Sequence, residues 1–99
     1  MFLNKIKLIP VDDHQIVIDG LIASLLPYDD IEIIETASNG NELFEKLPEH
    51  IPDIVILDIS MPGMNGIEAC KKLKKEFPDI KVIFFTGDEK QEIFFEALE

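Results

Sequence analysis

The sequence is poor in the features that mark secreted and membrane proteins. Its one cysteine, Cys70, cannot form a disulfide within the chain, which fits a reducing cytoplasm. The opening residues, Met1 to Lys5, lack the long apolar stretch of a signal peptide, and no apolar run approaches bilayer length. With 46% hydrophobic residues and only 5 glycines and 6 prolines, the composition favours one globular domain over residues 1–99. We therefore expect a cytoplasmic protein that has no membrane partner.

Positive charge is also scarce. The nine basic residues are all lysines and face 20 acidic residues, so the formal net charge is −11. Such a chain repels the phosphates of nucleic acids, and we expect no direct nucleic-acid binding. Four of the lysines lie together at Lys71, Lys72, Lys74 and Lys75. Their clustering indicates the solvated face of a helix.

Short apolar runs alternate with helical patterns along the chain. The run Ile54 to Leu57 is typical of a strand buried on both faces. The predicted strands are Ile6–Val11, Ile31–Ala37, Ile54–Leu57 and Lys81–Phe85, and the predicted helices are Val17–Leu25, Asn41–Leu47, Asn65–Phe77 and a last helix from Asp88 or Glu89 to Leu98. This alternation predicts an α/β fold with a doubly wound parallel sheet. Pro10 is unusual in the first strand, because proline gives no N–H to a sheet.

Polar residues follow three of the predicted strands. Asp12 and Asp13 come after the first strand, Asp58 after the third, and Thr86 with Gly87 after the fourth. Because parallel strands end at one edge of a sheet, we expect the three acids to converge and to repel each other unless they share a cation. Carboxylates suit Mg²⁺. Asp58 can then act as a nucleophile on phosphorus, with the Thr86 hydroxyl and the Gly87 N–H binding phosphoryl oxygens.

Each of these residues also has a purely structural interpretation. Asp12 or Asp13 is a natural N-cap for the first helix, and Thr86 for the last. Asp58 would then only cap the turn after its strand. His14 fits a surface residue at a helix start better than a metal ligand, since imidazole is softer than Mg²⁺ favours.

At these positions the sequence resembles the receiver domain of bacterial two-component response regulators. The resemblance rests on Asp12-Asp13, on the segment from Leu57-Asp58 through Met61-Pro62-Gly63 to Gly66, and on Thr86-Gly87. The Asp12-Asp13-His14 start is most like the subgroup with a C-terminal LuxR-type helix-turn-helix domain. The resemblance implies a flavodoxin-like fold in which Asp58 is the phosphoacceptor and Thr86 the switch hydroxyl. It also implies a Mg²⁺ site formed by Asp13 and Asp58, by Asp12 through water and by the Ser60 backbone carbonyl.

The chain departs from that family at its end. It stops at Glu99, where a receiver domain continues with a fifth strand and a fifth helix, so we interpret residues 1–99 as a truncated receiver domain that lacks the family's lysine. Loss of that strand would leave Lys81–Phe85 as an open, apolar sheet edge. We therefore expect self-association through Lys81–Phe85 or through the last helix.

Three functions remain open from the sequence. The first is a phosphoacceptor that takes a phosphoryl group from a sensor histidine kinase and controls a transcriptional output domain; it is not an enzyme beyond its own phosphorylation and dephosphorylation. The second is an interaction fragment that works without phosphorylation. The third is an aspartyl-nucleophile phosphatase of the haloacid dehalogenase type, but such enzymes have a second acid at the position that Ser60 occupies here.

Overall fold

Branched apolar runs form the strands of this protein, and helices with one apolar face connect them. The computed structural model describes residues 5–59, 64–87 and 92–96, the residues from 86 onwards by their backbone. The strands are β1 (Ile6–Val11), β2 (Ile31–Ile33), β3 (Ile54–Asp58), β4 (Lys81–Gly87) and β5 (Glu92–Glu96), and the helices are α1 (Gln15–Leu25), α2 (Gly40–Lys46) and α3 (Gly66–Glu76). They form one sheet in the order β2-β1-β3-β4-β5.

The first four strands are parallel, as the sequence predicted. Helices lie on both faces of their sheet. On one face, Leu43 of α2 and Leu73 of α3 pack with Ile9 and Leu57 in a cluster of buried residues. On the other, Val17 and other α1 residues pack against Leu8, Ile56 and Phe85. The predicted flavodoxin-like, doubly wound fold is therefore confirmed.

Side-chain caps fix the starts of α2 and α3. Asn65 Oδ1 accepts a hydrogen bond from the N–H of Glu68 at 2.9 Å, and Glu68 Oε1 accepts one from the N–H of Asn65 at 3.2 Å. This reciprocal pair is a capping box. Asn39 also caps α2, since its Oδ1 accepts a hydrogen bond from the N–H of Glu42 at 2.8 Å. The predicted start of this helix at Asn65 is confirmed, with Asn65 as its N-cap.

The second strand is shorter than predicted, and Pro10 supplies the reason. Pro10 is buried in β1, and its carbonyl accepts a hydrogen bond from the N–H of Ala37 at 3.1 Å, so the N–H and carbonyl positions of Pro10 face β2. Since proline has no N–H, the ladder loses a bond on that side. Strand β2 ends at Ile33, and the chain rejoins β1 only in an isolated bridge between Val11 and Ala37.

The predicted last helix is wrong. Residues Glu92–Glu96 form strand β5, which pairs antiparallel with β4, with Phe84 opposite Phe95 and Thr86 opposite Ile93. The predicted open edge at Lys81–Phe85 is wrong from Ile83 onwards for the same reason, because β5 pairs with Ile83–Gly87. Aromatic and β-branched residues favour strands, and an unpaired neighbouring edge offers them hydrogen-bond partners.

None of the helices in the described part of the chain is both long and apolar enough to cross a bilayer.

Candidate functional site

Strands β1 and β3 end side by side, and this pairing brings two acids together. Val11 lies opposite Leu57, so Asp12 follows β1 where Asp58 closes β3. Both acids are nearly inaccessible to solvent, with 4% of Asp12 and 8% of Asp58 exposed. Buried carboxylates are costly unless other groups offset their charge. The predicted convergence of these acids is confirmed.

Four side chains converge at this edge of the sheet. Asp12, Asp13, His14 and Asp58 each offer one possible metal-ligand atom, and these four atoms all lie within 4.8 Å of one another. Around an octahedral Mg²⁺ at about 2.1 Å from its ligands, neighbouring ligand atoms are about 3 Å apart and opposite ones about 4 Å apart. The three carboxylates therefore lie close enough to share one Mg²⁺, directly or through a water.

The turn between β1 and α1 holds Asp12 in place. Asp12 Oδ1 accepts a hydrogen bond from the backbone N–H of His14 at 2.8 Å. His14 itself is the N-cap residue of α1, and its side chain makes no capping hydrogen bond. The interpretation of Asp12 or Asp13 as the N-cap of this helix is therefore wrong. The short Asx turn instead directs the Asp12 carboxylate towards Asp58.

His14 is the cluster member whose position the sequence did not predict. Its side chain is 65% exposed, in agreement with a surface position, but its ring nitrogen Nδ1 lies 3.1 Å from Asp12 Oδ1 and 3.0 Å from Asp13 Oδ1. The hydrogen bond to Asp12 and the negative charge of Asp13 raise the pKa of His14 above 6.5. The sequence signal for this contact was the position of His14 directly after Asp12 and Asp13.

Gly66 allows the start of α3 to approach the end of β3. A Cβ atom at Gly66 would overlap the carbonyl oxygen of Asp58 and would lie 2.8 Å from Ile59 Cα. The N–H of Gly66 instead donates to the Ile59 carbonyl at 3.1 Å. Glycine at this position thus fixes the backbone that carries Asp58, a role that the sequence reading did not assign to it.

The remaining predicted site residues are described in part or not at all. Strand β4 extends through Thr86 and Gly87, and Phe85 lies opposite Asp58, so the Thr86 backbone is one residue beyond the Asp58 register position. The alternative interpretation, in which Thr86 caps the last helix, is wrong because Thr86 lies in β4 and Glu92–Glu96 form strand β5. Ser60 lies outside the described residues.

Known proteins resemble this chain over most of its length. Residues 8–99 match the response regulator receiver domain. The transcriptional regulatory protein LnrK of Bacillus subtilis (strain 168) is 43% identical over 94 residues, which are 95% of this chain and 43% of that protein. The oxygen regulatory protein NreC of Staphylococcus carnosus (strain TM300) is 37% identical over 93 residues, again 43% of that protein.

Solved structures agree with the sequence comparison. The crystal structure of the non-phosphorylated receiver domain of the stress response regulator RcsB from Escherichia coli has a TM-score of 0.80 and 31% identity, and the match covers 86% of this chain and 67% of that one. The chain spans less than half the length of LnrK and NreC. On the match to residues 8–99 and on this shared fold, the chain belongs to the response regulator receiver domain family.

Proposed function

We propose that this chain is a phosphoacceptor in the cytoplasm, in which Asp58 takes a phosphoryl group from a sensor histidine kinase. The observation that supports this most strongly is the position of Asp58, a nearly buried carboxylate that ends β3 with its ligand atom within 4.8 Å of those of Asp12 and Asp13. Membership of the receiver domain family supports the same conclusion. The chain turns over no substrate beyond its own phosphorylation and dephosphorylation.

The transfer requires a nucleophile and a way to offset negative charge. An oxygen of Asp58 forms a bond to phosphorus while the bond from phosphorus to the kinase histidine nitrogen breaks, and the electron pair returns to that nitrogen. As the family resemblance implies, Asp13, Asp58 and the Ser60 carbonyl would hold Mg²⁺, and Asp12 would contribute through a water. When bound, Mg²⁺ offsets the charge of the transferred group.

The end of β4 supplies the phosphoryl-binding groups in this proposal. The hydroxyl of Thr86 acts as the switch by turning to the phosphoryl oxygens, and the N–H of Gly87 donates to them. Support comes from the register of β3 and β4, in which Phe85 lies opposite Asp58 and Thr86 follows directly.

The proposed output of phosphorylation is control of transcription by a further domain. The support is the name of the relative LnrK, a transcriptional regulatory protein, and a solved complex of the response regulator RcsB with DNA that is 31% identical to this chain. This chain, with a net charge of −11, does not itself contact the nucleic acid in our proposal.

A labelling experiment tests the phosphoacceptor. Incubated with acetyl phosphate and Mg²⁺, the protein is expected to gain the mass of one phosphoryl group by intact-mass spectrometry. Asp58→Asn should gain nothing, whereas Asp79→Asn, which removes an exposed carboxylate in the turn after α3, should be labelled like the wild type. An unlabelled wild type, or full labelling of Asp58→Asn, would contradict the proposal.

A titration with beryllium fluoride distinguishes this function from that of an interaction fragment that needs no phosphorylation. Beryllium fluoride mimics a phosphoryl group on aspartate, so its addition with Mg²⁺ should shift the amide NMR signals of Asp12, Asp58 and Thr86. Spectra that do not respond to beryllium fluoride would favour the interaction fragment instead.

A further inference from the structure

We propose that Lys46 is a positioning residue for the candidate site, because it holds a β-bulge that keeps Asp12 in place at the end of β1. The proposal rests on the metal site of the proposed function and adds to it a residue outside the acidic cluster. Its basis is a series of hydrogen bonds that leads from the Lys46 ammonium group to the backbone N–H of Asp12.

The chain that follows β2 contains one residue more than regular pairing with β1 allows. The carbonyl of Leu8 accepts the N–H of Ile34 at 3.0 Å, and the carbonyl of Pro10 accepts the N–H of Ala37 at 3.1 Å. The acceptors are thus two residues apart and the donors three, whereas a regular parallel ladder takes equal steps on both strands. This insertion is a β-bulge, and it lies where Pro10 has no N–H to continue the ladder.

Ala37 restores the pairing directly before the site. It forms a bridge with Val11, and its carbonyl accepts the N–H of Asp12 at 3.1 Å. The backbone of the nearly buried Asp12 is therefore fixed on the β2 side by the residue that ends the bulge. Where the bulge places Ala37 decides where the Asp12 carboxylate lies.

Side chains, rather than the sheet, bind the backbone of Thr36 inside the bulge. Its N–H donates to Glu35 Oε1 at 3.2 Å, and its carbonyl accepts from Lys46 Nζ at 2.6 Å. Lys46 Nζ also lies 3.2 Å from the same Glu35 oxygen, in an ion pair of two side chains that are each about 30% exposed. Hydrogen bonds to a charged group are among the stronger ones in proteins. Lys46 thus ties the last turn of α2 to the residue before Ala37.

Two lysines at helix ends allow a matched comparison. Lys46→Met removes the ammonium group and keeps an unbranched side chain, whereas Lys46→Arg keeps the charge and the donors. Lys75 is an exposed residue in the last turn of α3, so Lys75→Met makes the same change in net charge. Loss of one positive charge should by itself strengthen Mg²⁺ binding, because the chain becomes more negative. Weaker Mg²⁺ binding in Lys46→Met would therefore report a change in position rather than in charge.

Amide hydrogen exchange followed by NMR measures the bond between Asp12 and Ala37 and requires neither metal nor phosphorylation. In Lys46→Met the amides of Asp12 and Ala37 should exchange about tenfold faster relative to the slowest amides of the same variant, the effect of losing a hydrogen bond to a charged group. Comparison within one variant separates this local opening from a lower overall stability. Lys75→Met should exchange like the wild type, and Lys46→Arg should restore most of the protection.

A Mg²⁺ titration followed by the same amide signals gives the second measurement. Lys46→Met should bind Mg²⁺ about tenfold more weakly than Lys75→Met, the effect expected of a group that acts through a metal ligand. Equal exchange at Asp12 and Ala37 in the two variants, or equal Mg²⁺ affinity, would overturn the role of Lys46 and leave the proposed phosphoacceptor intact. A wild type that binds no Mg²⁺ would instead overturn the metal site of the proposed function, and the positioning role with it.

A milder pair of variants applies if Lys46→Met does not fold. Glu35→Gln removes the charge that pairs with Lys46 and keeps an oxygen for the N–H of Thr36. It should speed exchange at Asp12 and Ala37 relative to Glu32→Gln, which makes the same change at an exposed position of β2. No difference between these two variants would overturn the proposal.

Discussion

The individual carboxylates at the edge of the sheet repel one another in the metal-free fold, which favours the binding of a cation between them. Asp12 and Asp58 are nearly buried, and both offer an oxygen within 4.8 Å of Asp13. Like charges in such a space destabilise the folded state unless a cation joins them. His14 offsets part of this repulsion, since its raised pKa reflects attraction to the same acids.

The first prediction follows from this repulsion. Asp58→Asn removes one charge from the cluster, so the metal-free protein should gain about 1 kcal/mol of stability, or about 5 °C in Tm for a domain of this size. Addition of Mg²⁺ should raise the Tm of the wild type more than that of the variant. Thermal unfolding followed by circular dichroism measures both. The control is Asp79→Asn, which should change neither the Tm of the metal-free protein nor its increase with Mg²⁺. If Asp58→Asn and Asp79→Asn give the same two values, the acids do not share a site.

A second prediction at the residue scale concerns Glu35, which is not a member of the acidic cluster. Its Oε1 accepts hydrogen bonds from the N–H of Thr36 and from Lys46 Nζ, both at 3.2 Å, and these bonds lower the pKa of Glu35 below 4.5. A lowered pKa in the folded state stabilises the fold above the unfolded-state value of 4.5, and this contribution is lost as the pH falls through the folded pKa.

Urea unfolding at neutral pH and at several values below 4.5 tests the role of Glu35. The free energy of unfolding of Glu35→Gln should fall less over this range than that of the wild type. Glu32→Gln, which changes the charge by the same amount at an exposed position of β2, serves as control and should fall like the wild type. An identical pH dependence of all three proteins would show that the Glu35 contacts contribute nothing.

At the scale of elements, the joint between β3 and α3 fixes the position of Asp58, the proposed phosphoacceptor. This joint requires glycine at residue 66, because any side chain would meet the backbone of Asp58 and Ile59. Gly20, in the middle of α1, has no atom within 4 Å of the position that a Cβ would take. The two glycines therefore make a matched pair for comparison: a side chain would clash with the backbone at Gly66, and it would meet no atom at Gly20.

The third prediction compares alanine at these two positions. Gly66→Ala should destabilise the protein by about 1–3 kcal/mol, the usual effect of overpacking, and should slow the labelling of Asp58. Gly20→Ala should instead stabilise it by about 0.5–1 kcal/mol, because glycine disfavours a helix interior. Chemical unfolding gives both values. A Gly66→Ala protein as stable and as readily labelled as the wild type would mean that the joint is free to move.

For the whole molecule, β5 determines which sheet edge is open to other chains. The N–H of Lys81 donates to the Asp53 carbonyl beside β3 at 3.0 Å, and N–H directions alternate along a strand. The N–H groups of Phe84 and Thr86 therefore face β5, where Phe95 and Ile93 lie opposite them. By the same alternation, Phe95 bonds to β4 and the N–H of Phe94 faces away from it.

The fourth prediction uses this alternation to test the covering of β4. Phe95→Pro removes a hydrogen bond between β5 and β4, so it should expose the apolar edge Lys81–Phe85 and increase self-association. Phe94→Pro changes the outward side and should not. Sedimentation velocity over a range of micromolar concentrations distinguishes them. Self-association itself stays a prediction. Self-association through β4 requires β5 to detach from it first. If both variants associate equally, association does not occur through β4.

The sequence by itself determined the elements whose signals are local. Apolar runs specified four parallel strands, Asn65 specified the start of α3, and acids after β1 and β3 specified a shared site, because parallel strands end at one edge. These features depend on the period of apolar side chains, on helix caps and on the handedness of the connections between strands. Each of these signals lies within one segment of the sequence or between neighbouring segments.

Tertiary structure decided the features that depend on a partner distant in sequence. The segment Glu92–Glu96 is short enough to fit a helix or a strand, and the unpaired edge of β4 made it a strand. Pro10 shortened β2 because its missing N–H faces that strand, and His14 lies beside the acids because the turn after β1 places its Nδ1 3.0 Å from Asp13 Oδ1. In each case the deciding group is a backbone or carboxylate partner whose availability only the folded sheet establishes.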